Sequence, residues 1–175
     1  NKPDMKAQTE AHFKAIRQII PNAKRIVLFD FDSDAKAFHP PPENPHLVEW
    51  KRKNIENYLL VPTAWKRATL QTLGNLPEDL FTAPVLQSID AFFADQNLTL
   101  APGKTWRTVG AQIFQVVDGK RLLFENDDSL FHTLRQGQPP VEVLRERVAA
   151  AMTADEIHED VHVFFQKVVR MVEGA

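Results

Sequence analysis

The chain contains no cysteine among its 175 residues. Disulfide bonds and thiolate metal sites are therefore excluded, and the composition suits a reducing compartment. No apolar run approaches the roughly 20 residues that a membrane-spanning helix needs, and no basic-then-apolar leader is recognisable at the start. We expect a cytoplasmic protein that does not cross a membrane.

The sequence also lacks an excess of either charge, an internal repeat and any low-complexity segment beyond one proline-rich loop. Its net charge is −2, so a surface that binds nucleic acid would have to be local. The hydrophobic fraction of 43% and the charged fraction of 25% are ordinary for a globular protein. The length suits one domain, or one domain with an appendage.

What the sequence does contain is an apolar run, residues 26–29, that leads into two carboxylates, Asp30 and Asp32. A run without polar alternation is typical of a strand buried on both faces of a parallel α/β sheet. Side chains two apart on a strand point the same way, and ligands of such sheets gather where the strands end. Two acids at that edge repel each other unless a cation neutralises them, so the pattern indicates a divalent metal site.

The first third of the chain is predicted to be mixed α/β. Helical spacing predicts a helix over residues 4–20, which Pro21 ends. The strand follows directly, and a proline-rich loop occupies residues 34–45. A short extended piece at residues 47–50 is expected to return to the sheet and deliver Glu56.

The rest is predicted to be mostly helical. Pro62 opens a helix that Gly74 closes, and residues 77–96 form one or two helices. Their inner side is predicted to carry Leu80, Phe81, Val85, Leu86, Ile89, Phe92 and Phe93. Residues 108–117 alternate loosely and remain ambiguous, and residues 129–134 are helical in pattern. A capping box, Thr153 with Glu156, predicts the start of the last helix.

These motifs resemble the toprim nuclease domain of OLD-family (overcoming lysogenization defect) proteins. The resemblance rests on Asp30-Phe31-Asp32 at a strand end and on the run Trp50-Lys51-Arg52-Lys53-Asn54-Ile55-Glu56-Asn57-Tyr58-Leu59-Leu60. Residues 118–123 and 152–165 also resemble the end of that family's domain, so the resemblance covers residues 24–169. It implies an α/β fold, a toprim-like parallel sheet with helices, followed by a mostly helical extension.

The resemblance also implies an activity and partners. OLD-family toprim domains are metal-dependent DNA endonucleases of phage defence and lie C-terminal to an ABC-type ATPase domain. We therefore expect DNA as substrate and an N-terminal ATPase domain in the full-length protein, and a homodimer stays open. Hydrolysis would use two divalent ions, Mg²⁺ or Mn²⁺, with Asp30, Asp32 and Glu56 as carboxylate ligands.

Several cations are candidates for contact with phosphate. Lys120 is assigned as the lysine that stabilises the transition state, with Lys104 as the alternate because each follows a glycine. An Asp-Gly hairpin turn with an incidental lysine is the competing interpretation of Lys120. Lys51, Arg52 and Lys53 are expected to contact the DNA backbone, or else to be simply solvated.

The family pattern also begins with a strand ending in glutamate, typically Glu-Gly-x-x-Asp, and no such motif precedes Asp30. We therefore expect a fragment that is weak or inactive as a nuclease by itself. Residues 1–60 would form the toprim-like α/β portion without its first strand and glutamate, residues 61–117 a helical insertion, and residues 118–175 the lysine-bearing segment and C-terminal helices.

Other interpretations of the same residues stay open. Phe29-Asp30-Phe31-Asp32 also resembles the first motif of haloacid-dehalogenase-like phosphatases, with Asp30 as nucleophile, although Asp34 stands where that motif has Thr or Val. A non-catalytic assembly or DNA-binding module is a third class. His158 and His162 fit the zinc motif H-E-x-x-H, but Glu173 is the sole acid among the 13 residues that follow, so a polar helix face is favoured.

Overall fold

The computed structural model describes residues 2–32, 38–41, 44 and 46–174. These residues form a mixed α/β structure with two parallel strands and seven α-helices. The chain divides into unit 1, residues 1–51 and 160–175, and unit 2, residues 52–159. In chain order the elements are α1 (Lys2–Ile19), β1 (Val27–Phe29), β2 (Leu47–Glu49), α2 (Pro62–Thr72), α3 (Ala83–Asp95), α4 (Gln112–Val116), α5 (Leu130–Gln136), α6 (Arg145–Ala151) and α7 (Glu159–Glu173).

In unit 1 the two strands pair in parallel, with Phe29 opposite Glu49 at the carboxyl end. The ladder extends one bond further, from the N–H of Trp50 to the carbonyl of Phe29 at 2.9 Å. The buried side chains of Val27, Phe29 and Leu47 form its core. The predicted strand and its returning partner are thus confirmed, although β1 ends at Phe29 and does not reach Asp32.

Both helices of unit 1 were expected. The turn at Pro21 follows α1 as predicted. The last helix, α7, begins at Glu159, which is later than the capping box suggested. Two contacts anchor the entry to α7: the ring centroids of Trp50 and Phe164 lie 5.4 Å apart, and the Lys51 ammonium pairs with Asp160 at 3.1 Å.

Unit 2 is helical and has its own core. The predicted α2 starts with Pro62 in its first turn and ends before Gly74, whose φ of +86° suits glycine alone. Helices α2, α3, α5 and α6 pack around fully buried side chains. The largest of these are Trp65, Phe93, Phe114, Leu60, Ile89, Leu98, Leu123, Leu130 and Leu134.

The region before α3 departs from expectation. Leu80 and Phe81 are 90% and 78% exposed, so the prediction that they face inward is wrong. The Asp79 carboxylate accepts hydrogen bonds from the backbone N–H groups of Phe81 and Thr82 at 2.9 and 3.1 Å. This turn leaves the side chains of Leu80 and Phe81 exposed to solvent before α3 starts at Ala83.

Two further elements precede the later helices. A 3₁₀ turn, Ile55–Leu59, follows unit 1 directly, and a π-helical turn, Arg121–Glu125, follows α4. The ambiguous residues 108–117 are mostly helical, since they contain α4. Within the described ranges, no helix combines the length and apolar character needed to cross a membrane.

The divisions of the chain differ from those drawn on the sequence. Unit 2 runs from residue 52 to residue 159. It therefore contains the end of the predicted segment 1–60, all of the predicted segment 61–117 and residues 118–159 of the third segment. The final helix α7 belongs almost entirely to unit 1, together with β1 and β2. Unit 1 is therefore assembled from two stretches that are distant in sequence.

Candidate functional site

Asp30 and Asp32 follow β1 at the carboxyl end of the parallel pair. Both are exposed, whereas Phe31 between them is half-buried, with its ring 6.0 Å from that of His39. This alternation of exposure is what a strand-like period of two predicts. Two carboxylates are thus presented to solvent at the edge where ligands of parallel sheets bind.

Glu49 lies at the same edge, as the last residue of β2. Its Oε2 is 2.8 Å from Nδ1 of His39, so the two side chains are hydrogen-bonded. Sequence reasoning treated residues 47–50 only as the route to Glu56 and assigned Glu49 no role. The signal was available, because a carboxylate ending the second parallel strand must lie beside the acids that follow the first.

The carboxylate oxygens of Asp30 and Asp32 are donors of the kind that Mg²⁺ and Mn²⁺ prefer. In the described part of the chain, however, no three acidic or histidine side chains converge as a metal site. The pair therefore fits part of a ligand set. Asp34, on which the comparison with phosphatases depends, lies outside the described residues.

Glu56 belongs to unit 2, where it sits on the 3₁₀ turn Ile55–Leu59 and not at the end of a strand. Only 8% of the residue is exposed, and its Oε1 lies 3.3 Å from Nε of Arg145. The Arg145 guanidinium in turn stacks 4.5 Å from the ring centroid of Phe124. Glu56 is therefore half of an ion pair that a neighbouring aromatic ring supports.

Asn57, the next residue, is fully buried, and its side-chain amide bonds to backbone groups. Its Nδ2 donates to the carbonyls of Phe114 and Val117 at 2.9 and 2.8 Å, and its Oδ1 accepts from the N–H of Gly119 at 3.0 Å. A Cβ on Gly119 would come within 2.5 Å of that same Oδ1. Glycine is required here for close approach, and the segment is helical, so the hairpin interpretation is wrong.

Lys120 follows Gly119 and pairs with Glu125 at 2.8 Å. The hydrogen bond and charge of Glu125 raise the pKa of Lys120, as does the nearby charge of Glu56, while Arg145 opposes them. Glu56, Lys120, Glu125 and Arg145 thus form one ionic cluster in unit 2. The two residues that the sequence assigned to catalysis in this unit act on each other electrostatically.

Lys104, the alternate lysine, lies in a different setting. It is exposed and follows Gly103, whose φ of +76° makes a tight turn closed by the Lys104 N–H and the Ala101 carbonyl at 3.1 Å. Together with Glu125, the charge of Glu56 raises the pKa of Lys120.

Arg52 is placed differently from the phosphate contact that was expected. It is 3% exposed, and its Nη1 and Nη2 donate to the carbonyls of Asn57 and Val109 at 2.8 and 3.3 Å. Its guanidinium also lies 4.8 Å from the Tyr58 ring and 5.6 Å from the Phe114 ring. These contacts make Arg52 a structural residue of unit 2, because its guanidinium is engaged inside the protein.

The two lysines beside Arg52 remain at the surface. Lys51 and Lys53 are 77% and 46% exposed in their side chains and pair with Asp160 and Asp118 at 3.1 and 3.2 Å. Each ammonium can still meet a phosphate, since surface ion pairs are weak.

Asp118 is a further carboxylate that sequence reasoning left unassigned. Partial burial raises its pKa, but the N–H of Arg121, the ammonium of Lys53 and the amide of Asn54 together hold the pKa below its ordinary value. The side chain is therefore a carboxylate at neutral pH. It fixes the backbone turn that leads into Gly119 and Lys120.

The zinc motif does not form. His158 precedes α7, with Nε2 3.2 Å from the Val109 carbonyl and its ring 5.6 Å from that of Tyr58. The i,i+4 spacing of the two histidines is therefore not helical throughout. No convergent group of ligands is present among the described residues.

Searches of protein-family models, curated proteins and solved structures give no significant match to this chain. Its function must be inferred from where its own residues lie.

Proposed function

We propose that the chain is part of a metal-dependent endonuclease domain that hydrolyses DNA phosphodiester bonds, with a toprim-like arrangement of the OLD type. The observation that carries the proposal is the placement of Asp30 and Asp32, both exposed, at the carboxyl end of a parallel strand pair. In the full-length protein an N-terminal ABC-type ATPase domain would accompany it.

Asp30 and Asp32 would hold Mg²⁺ or Mn²⁺, which when bound neutralises phosphoryl charge and makes water a better nucleophile. Neighbouring residues at this edge of the sheet flank the two carboxylates. Phe31, the residue between them, is half-buried with its ring 6.0 Å from that of His39, while Asp30 and Asp32 themselves are exposed. His39 engages Glu49 next to them, which keeps that carboxylate oriented at the same edge.

Lys120 suits the role of a stabilising cation. A raised pKa keeps its ammonium protonated at neutral pH, so it can oppose negative charge on a phosphoryl group but cannot serve as a base. Glu56 supports this protonated state. The roles of Glu56 as ligand and of Lys120 in the transition state stay predictions that variants test.

Binding of Mn²⁺ measured by isothermal titration calorimetry tests the proposal independently of activity. We expect binding by the wild type, loss of binding in Asp30→Asn and Asp32→Asn, and no change in Asp95→Asn, an exposed acid at the end of α3. Equal binding by all four proteins would refute the metal site.

Cleavage of supercoiled plasmid with Mg²⁺ or Mn²⁺ tests the activity, and the same two variants should abolish whatever nicking the wild type shows. Hydrolysis of small phosphate esters that Asp30→Asn abolishes, with plasmid left intact, would instead support the dehalogenase-like phosphatase.

A further inference from the structure

Unit 1 contains a strongly basic cleft of about 1130 Å³ that the proposed metal site does not use. It is bordered by α1, by the residues just before β1 and β2, and by the C-terminal part of α7. One carboxylate, Glu10, lies in its lining. Five cationic side chains line it: Arg17, Lys24, Arg25, Lys167 and Arg170. This concentration of positive charge stands on a chain whose net charge is −2.

Two of the five cations help to build the cleft. The Lys24 ammonium donates to the carbonyls of Met171 and Val172, which are among the last carbonyls of α7 and have no partner within the helix. Arg25 lies 3.6 Å from Glu10 and 4.8 Å from the centroid of the Phe13 ring. These contacts fix the wall formed by the segment before β1.

Arg25 also keeps donors that the protein does not use. Its Nε and Nη1 are buried and have no acceptor among the described residues. A guanidinium nitrogen removed from water without an acceptor is unfavourable, so a small movement of the Arg25 side chain toward an anion in the cleft would stabilise it. Phosphate oxygens match the planar fork of a guanidinium.

The other three cations are less constrained. The Nε of Arg17 donates to the Pro21 carbonyl at 3.1 Å, and its guanidinium lies 6.0 Å from the centroid of the Phe13 ring. Lys167 and Arg170 are three residues apart on α7, so they lie side by side on one helix face. Like charges at this spacing repel each other, and an anion between them removes that repulsion.

The shape of the cleft selects among anions. Its volume exceeds the roughly 300–1,000 Å³ of usual small-molecule pockets, and a single phosphate would leave most of it empty. A lipid surface is flat and cannot follow a concave wall. A chain of phosphodiesters, with one charge per nucleotide, can meet cations from α1, the pre-strand segment and α7 together.

We propose that this cleft binds the phosphate backbone of a nucleic acid. That this strand is the DNA cut at Asp30 and Asp32 rests on the proposed function.

The position of the cleft predicts how long a duplex must be, at most, to meet both the cleft and Asp30. Because the strands are parallel, the residues before β1 and β2 lie at one end of the pair and Asp30 lies at the other. Five residues separate Arg25 from Asp30, which corresponds to at most roughly 17 Å at about 3.3 Å per residue. B-DNA rises about 3.4 Å per step, so a duplex of about five base pairs is long enough to reach both places.

Fluorescence anisotropy with a labelled duplex of about 20 base pairs, in EDTA so that cleavage is absent, tests the cleft. The double variant Lys167→Glu/Arg170→Glu should weaken binding about tenfold or more, and make the slope of the salt dependence shallower by about 1 for each phosphate that is no longer neutralised. Arg147→Glu, an exposed charge reversal on α6 of unit 2, is the matched control and should bind like the wild type.

Because charge reversal can perturb folding, Lys167→Gln/Arg170→Gln is measured beside it, and both variants should keep the wild-type circular dichroism and melting temperature. The wild-type affinity and salt dependence in a folded double variant would overturn the proposal. Displacement of the duplex by inorganic phosphate at millimolar concentration and constant ionic strength would assign the cleft to a single phosphate and would also overturn it.

The outcomes separate this inference from the proposed function. If duplex binding requires Lys167 and Arg170 in a protein that neither binds Mn²⁺ through Asp30 nor nicks DNA, the proposed role of the cleft stands and the nuclease proposal is wrong. If nicking requires Asp30 but is as fast in the folded double variant as in the wild type, the nuclease proposal stands and the proposed role of the cleft is wrong.

Discussion

Asn57 and Gly119 interlock: the Oδ1 of Asn57 accepts the N–H of Gly119 at 3.0 Å, and there is no room between them for a Cβ. Asn57 follows Glu56 in the chain, and Gly119 precedes Lys120. One buried contact therefore holds together the two backbone segments that carry the ionic cluster.

Gly119→Ala should destabilise unit 2, because a Cβ at this position would lie 2.5 Å from Oδ1 and 2.9 Å from the backbone nitrogen of Asn57. Overpacking of this kind costs about 1–3 kcal/mol. Gly110→Ala is the control, since nothing lies within 4 Å of its added Cβ, and it should change stability by less than about 0.5 kcal/mol. Urea denaturation measures both, and equal midpoints would contradict the interlock.

Arg52→Ala should lower the free energy of unfolding by about 1–3 kcal/mol or more, since the carbonyls of Asn57 and Val109 lose a buried donor. Arg52→Lys should restore little of this, because an ammonium cannot reproduce the planar fork. Lys53→Ala removes only an exposed pair and should cost about 1 kcal/mol or less. If the Arg52→Ala variant has wild-type stability and weakened DNA binding, Arg52 contacts phosphate, as the sequence first predicted, and its structural role is wrong.

Lys120→Ala should slow DNA cleavage about 10²-fold, the size expected when one electrostatic stabiliser is removed. Binding of Mn²⁺ should be unchanged, since a lysine ammonium is not a ligand of the metal. Single-turnover cleavage and calorimetry check the two parts. If Lys104→Ala greatly reduces the rate and Lys120→Ala does not, Lys104 and not Lys120 is the lysine that stabilises the transition state.

Glu156 should make stability depend on pH. Burial raises its pKa, but the Thr63 hydroxyl, the Thr153 N–H and the Arg67 guanidinium together hold the pKa below its ordinary value. A carboxyl whose pKa is lowered by folding stabilises the protein above its unfolded-state pKa, and that stabilisation is lost as the pH falls through the folded-state value.

Glu156→Gln should therefore melt below the wild type at neutral pH, and the difference should shrink as the pH falls below about 4. Glu142→Gln, an exposed neighbour in sequence, should melt like the wild type throughout. Thermal unfolding followed by circular dichroism at several pH values measures both. A difference for Glu156→Gln that stays constant down to acid pH would contradict the linkage.

Elements whose signals are local could be predicted from the sequence. The apolar run before Asp30 predicted β1, and Pro62 with Gly74 bounded α2. The parallel return through β2 was also predicted, because the apolar run indicated a strand buried on both faces. Ser129 caps α5 through its hydroxyl, which accepts the His132 N–H, where the sequence expected a helix.

Features decided by partners far along the chain could not be predicted. Thr153 and Glu156 do form half of a capping box, at 2.9 Å, but α7 starts only at Glu159, and the Glu156 carboxylate also bonds to Thr63 and Arg67 on α2. Arg52 is buried because Tyr58 and Phe114 stack on it, and Phe114 lies 62 positions away in the sequence. The sequence around Glu156 does not reveal its partner Arg67, and the sequence around Arg52 does not reveal its partner Phe114.

The bond from Lys24 to the end of α7 joins residues separated by 147 positions. During synthesis, β1 and β2 therefore emerge long before the helix that completes their unit, whereas unit 2 is one continuous stretch that can fold as it leaves the ribosome. We expect unit 1 to fold last, and a chain cut before α7 to lose the packing of Phe164 on Trp50 and the anchor of Lys24 while unit 2 stays folded.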